Sequence, residues 1–179
     1  MRPSPHLSKN KMAIWQYDFI LIPEFGMNQH PGSVPERIDS LFTDSEEERP
    51  AYWSDFTEIE RIENEASILL GKLKSWSEEA RMFGTEDGNK IEIWDDEISC
   101  RFDLRTPDME VLESIMRLAK QSNCYILSNH SHRVIEPDLK EVCLDIKESS
   151  AYKFCKDPKG YLRSLAQTNS DQDSGGNVG

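Results

Sequence analysis

The fold is decided by one stretch of the chain, residues 90–127, which reads KIEIWDDEISCRFDLRTPDMEVLESIMRLAKQSNCYIL. Apolar Ile91 and Ile93 alternate with other residues, an acidic run interrupts the pattern at residues 95–97, and the alternation resumes at residues 98–105. A period of two residues is typical of a half-buried strand. The first part of the stretch therefore predicts a two-stranded hairpin closed by an acidic turn.

The second part of the stretch predicts a helix followed by a strand. Thr106 is a typical N-cap, Pro107 suits the first helical position, and Asp108 places negative charge near exposed backbone N–H groups. Apolar residues then recur at spacings of three and four, at Leu112, Ile115, Met116 and Ala119. The pattern ends at residues 122–123, and the mostly apolar residues 124–127 predict a short buried strand.

Elements on the N-terminal side of this stretch are a strand and a long helix. Residues 14–21 carry aromatic side chains at alternate positions, which predicts a strand whose aromatic face packs on helices. Residues 55–75 have apolar side chains at helical spacing and acids between them, which predicts an amphipathic helix. Two shorter predictions are a helix capped by Ser33 and a helical turn at residues 78–82.

The C-terminal part of the chain is predicted from weaker patterns. Residues 134–135 complete a short hairpin, and Pro137 begins a helix with Val142 and Ile146 on its inner face. The mostly apolar residues 151–155 predict a short edge strand, followed by a helical segment.

A single α+β domain is the expected architecture. A chain of 179 residues at 37% hydrophobic content can form one sizeable core. We expect that domain at residues 12–165, with a flexible extension at residues 1–11 and a disordered tail at residues 166–179, where almost nothing can be buried. The βαββαβ order, followed by a C-terminal helical segment, predicts a mostly antiparallel sheet with helices packed on one face, in a ferredoxin-like topology.

Negative charge is concentrated in the middle of the chain. The net charge is −12, and residues 44–97 alone carry seventeen acids against six bases. Such a field repels phosphate backbones and speeds the association of basic proteins, so we expect a protein partner and no nucleic acid. The alternative is a solvated acidic surface that only keeps the protein soluble.

The chain is expected to be cytoplasmic, with no membrane span. It has no apolar run of about 18 residues and no apolar segment near its N-terminus. Its four cysteines, Cys100, Cys124, Cys143 and Cys155, form no CxxC pair, which favours reduced structural thiols.

Motifs for catalysis or cofactor binding are not recognisable, and we expect no cofactor. The glycine patterns of phosphate-binding loops and the GxSxG and HExxH motifs are missing from the sequence. His130 and His132, with Cys124 near them in sequence, are the candidate metal ligands, although an exposed turn is favoured because no second ligand cluster accompanies them.

The acids Asp95, Asp96 and Glu97 are the other candidate site for chemistry. They could hold Mg²⁺ or act as general acid and base, but adjacent carboxylates on a hairpin diverge, so an acidic turn is favoured. As a protein-binding surface they are better supported, because Trp53 and Trp94 lie among the acids and rigid aromatics are common interface anchors. Each tryptophan is also a candidate core residue. The predicted partner-binding patch comprises Glu46, Glu47, Glu48, Trp53, Asp55, Glu58, Trp94, Asp95, Asp96 and Glu97.

Three segments of the chain, residues 14–23, 101–105 and 134–154, resemble small bacterial immunity proteins of polymorphic or contact-dependent toxin systems. The resemblance covers about residues 12–165. It implies a non-enzymatic cytoplasmic inhibitor that binds a cognate toxin domain, often a nuclease whose basic active site matches an acidic surface. The alternative is a small metal-dependent enzyme or metal-binding module that uses His130 and His132, with Cys124, or residues 95–97.

Overall fold

The computed structural model describes residues 13–28, 34–42 and 51–173. The strands in these ranges are β1 (Gln16–Pro23), β2 (Lys72–Leu73), β3 (Arg81–Gly84), β4 (Lys90–Ile93), β5 (Ile98–Asp103), β6 (Cys124–Ser128) and β7 (Val134–Ile135). The helices are α1 (Glu24–Asn28), α2 (Ile59–Leu70), α3 (Met109–Gln121), α4 (Leu139–Glu148), α5 (Ser150–Lys156) and α6 (Pro158–Asp173). Outside the described ranges lie the predicted extension, residues 1–11, and also Ser33, Glu46, Glu47, Glu48 and residues 174–179.

The seven strands form one sheet in the order β2-β3-β4-β5-β1-β6-β7, and each neighbouring pair is antiparallel. The four inner strands β4, β5, β1 and β6 have the order expected of the ferredoxin-like topology, so the α+β prediction is confirmed. Strands β2 and β3 extend one edge of this unit, and β7 extends the other.

Strands β2 and β3 replace two predicted helical features. Helix α2 ends at Leu70, because Gly71 adopts a φ of 75° and the chain returns as β2, so the predicted helix over residues 55–75 is shorter than expected. The predicted helical turn at residues 78–82 is wrong, since Arg81–Gly84 is a strand. Met82 and Phe83 are both buried, on opposite faces of the sheet, and therefore give no alternating pattern.

The principal helices pack on one face of the sheet, as predicted. The register places Tyr17 on the same face as Phe102, and Arg81 on that face two strands further along. Tyr17 is bonded to Asp145 of α4, Arg81 is paired with Glu63 of α2, and α3 contacts both of these helices. The predicted stripe of α3 is fully buried, with Leu112, Ile115, Met116 and Ala119 at 0–3% exposure.

The first residue of α3 differs from the prediction. Asp108, and not Thr106, is the N-cap: its side chain accepts hydrogen bonds from the N–H groups of Glu110 and Val111, at 3.1 and 3.2 Å. A carboxylate in this position satisfies two backbone donors and also interacts favourably with the helix dipole.

Two C-terminal predictions are wrong: the edge strand at residues 151–155 is a helix, and a helix extends into the predicted tail at residues 166–179. Residues 151–155 belong to α5, because the Ser149 hydroxyl accepts a hydrogen bond from the N–H of Tyr152 and caps a helix there. Helix α6 continues to Asp173, past the predicted domain boundary at residue 165. The short helix predicted after Ser33 is also absent from the described residues 34–42; instead Arg37 forms a β-bridge with Arg133 beside β7.

The four cysteines are free and fall into two classes. Cys100 and Cys124 are buried in the sheet, whereas Cys143 and Cys155 are half-buried. Burial raises the pKa of the Cys124 thiol to about 12 and also raises the pKa of Cys100. Within the described part of the chain, no helix combines the length and apolar character that crossing a membrane requires.

Candidate protein-interaction surface

One end of the sheet gathers acidic residues from several elements. The β4–β5 turn lies at this end, where β1 also ends and β6 begins, since Pro23 pairs with Cys124. The first turn of α2 is there too, because Arg61 contacts Gln121 just before β6. We call this the acidic end; its residues are Asp55, Glu58, Trp76, Glu78, Glu79, Asp95, Asp96 and Glu97.

The predicted site residues Asp95, Asp96 and Glu97 form the turn itself. The N–H of Trp94 donates to the carbonyl oxygen of Glu97 at 2.8 Å, which closes the turn. Asp95 and Asp96 are exposed, and Glu97 is half-buried. Among residues 13–28, 34–42 and 51–173, no three His, Cys, Asp or Glu side chains are arranged to hold a metal ion. The turn therefore presents carboxylates to solvent.

Two bases near the acidic turn are paired with acids of the chain. Arg61 donates to Glu58 at 3.1 Å, and Glu58 is also the residue before α2. Arg81, at the start of β3, is 3.2 Å from Glu63. Each pair is neutral overall, so neither arginine offsets the charge of the turn acids.

The two tryptophans predicted as anchors are core residues. Trp53 is 6% exposed, and its indole N–H donates to the carbonyl oxygen of Leu21 at 3.0 Å. Trp94 is 4% exposed and packs with Ala80 and Met82 on the sheet face opposite the principal helices. The interpretation of Trp53 or Trp94 as a surface anchor is therefore corrected.

A third tryptophan, Trp76, is the exposed aromatic residue at the acidic end. It lies in the β2–β3 connection, is 62% exposed, and its ring centroid is 5.5 Å from that of Trp94, with the planes at 57°. The Ser75 hydroxyl donates to the carbonyl oxygen of Ser77 at 2.6 Å, and the N–H of Glu79 donates to the Ser77 hydroxyl at 3.2 Å. These bonds order the backbone on both sides of the ring. The sequence signal was a tryptophan between two serines in an acidic segment, but the predicted partner-binding patch did not include it.

The opposite end of the sheet holds a tryptophan and an acid that are already occupied by an arginine. Arg105 donates to Asp103 from Nη2 at 2.6 Å and from Nε at 3.0 Å, and its Cζ lies 4.7 Å from the centroid of the Trp15 ring. Burial alone would raise the pKa of Asp103, but the hydrogen bonds from Arg105 outweigh it and lower that pKa. We call Trp15, Asp103, Arg105 and their neighbours Tyr17, Ser128 and Asp145 the Trp15 end.

Asp145 is the most buried acid at the Trp15 end, with 1% exposure. The hydroxyl of Tyr17 donates to its Oδ2 at 2.7 Å, and the hydroxyl of Ser128 donates to the same oxygen at 2.5 Å. Burial would raise the pKa of Asp145, but these donors and the Ser131 hydroxyl lower it below its usual value. The phenol of Tyr17 responds in the opposite direction, since burial and the neighbouring carboxylate raise its pKa. This network ties α4 to β1 and β6.

A row of charges on the second face of the sheet is also paired. Asp18 of β1 accepts from Arg101 of β5 at 3.1 Å, and Lys90 contacts Glu92 within β4. Burial raises the pKa of Asp18, and this effect exceeds the opposing effect of Arg101. Because each charge has a partner from the chain, we interpret the row as structural.

The candidate metal ligands do not come together. Cys124 is the first residue of β6 and the two histidines follow its last residue, so about 13 Å of extended chain separates Cys124 from Ser128. His132 is instead engaged by Asp39, with its Nδ1 2.7 Å from Oδ1, and it stacks on Phe42 at 4.1 Å.

No family model, curated protein or solved structure matches the chain.

Proposed function

We propose that this protein is a non-enzymatic, protein-binding inhibitor of the immunity-protein class, which neutralises a cognate, basic toxin domain of the nuclease type. The observation that carries the proposal is the acidic end, where exposed Asp95 and Asp96 share one edge of the molecule with the exposed ring of Trp76. An aromatic anchor surrounded by charges of one sign is a common arrangement in protein interfaces.

The electrostatic part of the proposal concerns the rate of association. Acids at one end of the molecule attract a basic partner over roughly a Debye length, about 8–10 Å at physiological salt. Attraction of this kind raises the association rate and orients the encounter, whereas desolvated contacts such as those of Trp76 set the lifetime of the complex. A nuclease fits this description because its substrate requires a basic active site.

The alternative of a metal-dependent enzyme or module has less support. Its candidate ligands lie apart, since Cys124 begins β6 and His130 and His132 follow its end. His132 is engaged by Asp39. The turn acids favour the inhibitor, because carboxylates that are exposed to solvent suit long-range attraction of a basic partner.

The test compares two triple variants that remove the same charge. The first, Asp95→Asn, Asp96→Asn and Glu97→Gln, neutralises the turn; the second neutralises exposed helical acids elsewhere, through Glu110→Gln, Glu113→Gln and Glu148→Gln. Partners are captured from the native organism, the toxin is identified by its inhibited activity, and association rates are measured at low and high salt.

We expect the turn variant to associate about 3–10-fold more slowly at low salt, with a flatter salt dependence, and the helical variant to stay close to the parent. Equal rates for the turn variant and the parent would remove the turn from the interface. A partner without a basic surface would contradict the steering argument as a whole.

A further inference from the structure

Trp76 and Trp94 form an aromatic corner at the acidic end. Trp94 is buried and supports the pair from below, while Trp76 is 62% exposed and inclined to it at 57°. An exposed indole on a buried one is a rigid apolar surface that a partner can contact at low entropic cost, because the hydrogen bonds of Ser75 and Ser77 already order the loop. The question is which chemical group suits this surface.

The Trp15 end shows how this chain surrounds a guanidinium. The Arg105 side chain lies 4.7 Å above the Trp15 ring and is held there by two N–H bonds to Asp103. Within residues 13–28, 34–42 and 51–173, this is the sole cation placed over an aromatic ring. The guanidinium also donates to the carbonyl oxygen of Asp87 at 2.7 Å, so a tryptophan face, a carboxylate and a carbonyl oxygen together position an arginine in this molecule.

The acidic end has the first two components of that arrangement. Trp76 provides the exposed ring, and Asp95 and Asp96 provide exposed carboxylates at the same end of the sheet. We infer that Trp76, together with the acidic β4–β5 turn, forms a receptor for an arginine side chain of the protein partner. This inference rests on the proposed function for the source of the arginine, and it goes further by naming the group that is recognised.

Arginine suits the surface better than lysine or an apolar residue. Its guanidinium is planar and weakly hydrated, so it can stack on an indole while its N–H groups reach a carboxylate. Lysine carries the same charge as a compact, strongly hydrated ammonium group that does not stack. An uncharged side chain could stack on the ring but would not be attracted by the acids of the turn.

The test uses the full chain labelled with ¹⁵N at its four tryptophan indoles. Blocked pentapeptides of glycine and serine around a central arginine, lysine or citrulline are titrated at low salt, and the Trp76 signal is assigned with the Trp76→Ala variant. Citrulline keeps the shape and most hydrogen-bond donors of arginine but has no charge, so it separates the cation from the rest of the side chain.

We expect the arginine peptide to shift the Trp76 indole signal, with affinity at least about threefold above the lysine peptide and no saturable shift for citrulline. The Asp95→Asn, Asp96→Asn, Glu97→Gln variant should weaken arginine binding several-fold, whereas the helical variant Glu110→Gln, Glu113→Gln, Glu148→Gln should not. Unchanged signals from Trp15 and Trp53 report that each variant is folded; Trp94 is not used for this purpose because it contacts Trp76.

An equal response to arginine and citrulline would overturn the inference in favour of an uncharged occupant, and binding unaffected by Trp76→Ala would place the site elsewhere. This result is separable from the proposed function. If the turn variant associates more slowly with the toxin but the arginine peptide does not shift the Trp76 signal, only the arginine receptor is refuted. An arginine response in a protein that inhibits no toxin refutes only the proposed function.

Discussion

The two ends of the sheet use the same kinds of residue in different states. At the Trp15 end, the acids Asp103 and Asp145 are 6% and 1% exposed and are bonded to Arg105 and to two hydroxyls. At the acidic end, Asp95 and Asp96 face solvent beside an exposed tryptophan. A buried acid contributes to folding only because partners compensate its desolvation, whereas an exposed acid contributes little to folding and extends its field into solvent.

The comparison therefore separates stability from recognition along the sheet. If it is correct, changes at the Trp15 end lower the free energy of unfolding and leave partner binding intact, and changes at the acidic end do the reverse. Three variants, two at the Trp15 end and one at the acidic end, measure the effect on stability, and the expected losses of unfolding free energy fall in the order of burial.

The largest effect is expected for Asp145→Ala. The change leaves the hydroxyls of Tyr17 and Ser128 buried without their shared acceptor, and we expect it to cost about 3 kcal/mol of unfolding free energy in urea denaturation. Asp145→Asn is the matched control, because it keeps an acceptor oxygen without the charge, and should cost about half as much. A loss below about 0.5 kcal/mol for Asp145→Ala would remove the network from the stability of the fold.

The lowered pKa of Asp145 predicts how the difference in unfolding free energy between the parent and Asp145→Asn depends on pH. A carboxyl whose folded pKa is depressed stabilises the protein above its unfolded pKa, about 3.9, and loses that contribution as the pH falls through the folded pKa. The parent's advantage over Asp145→Asn should therefore be constant near neutral pH and shrink below about pH 4. An advantage that grows on acidification would contradict the direction of the shift.

An intermediate effect is expected for Asp103→Ala. The variant removes the acceptor of the Arg105 guanidinium and of the Arg105 backbone N–H, which is 2.9 Å away, and we expect a loss of about 1–2 kcal/mol. The fluorescence of Trp15 should change as well, because Arg105 is no longer fixed over its ring. A stable variant with unchanged fluorescence would mean that the cation is held by other contacts.

The smallest effect is expected at the acidic end. Asp95→Asn combined with Asp96→Asn changes two exposed side chains, and the unfolding free energy should stay within about 0.5 kcal/mol of the parent. The same denaturation series measures it. A loss above about 1 kcal/mol would mean that these acids stabilise the fold, and the contrast between the two ends would fail.

The sequence predicted those elements that have one buried face. The β4–β5 hairpin alternates because one side of it packs under helices, and α3 has an apolar stripe because its other side faces solvent. Strand β3 gave no such signal, because Met82 and Phe83 are buried on opposite faces. Residues 151–155 are mostly apolar, as a short buried strand would be, but Ser149 caps a helix there, and hydropathy does not record the side-chain geometry of a cap.

The acidic residues of the site could be predicted from the sequence, but its exposed aromatic residue could not. Acids in a hairpin turn are exposed wherever the hairpin packs, so Asp95 and Asp96 were identified from sequence alone. The burial of Trp94 depends on β3, since Met82 supplies the surface on which the ring packs. Because β3 was not predicted, Trp94 was considered as an anchor. Trp76, which lies in the connection before β3, was not considered.

The buried thiols of Cys100 and Cys124 can report how often the central strands of the sheet separate. Cys100 lies in β5 and Cys124 in β6, the two strands that flank β1, and both are protonated and shielded in the closed state. A thiol reagent can modify them only during the moments when those strands separate, so the labelling rate counts opening events. The half-buried Cys143 and Cys155 should be labelled at a different rate, because their exposure depends on motions of the helices that carry them. One chain without any engineered label thus reports separately on how often its central strands open and how often its outer helices do.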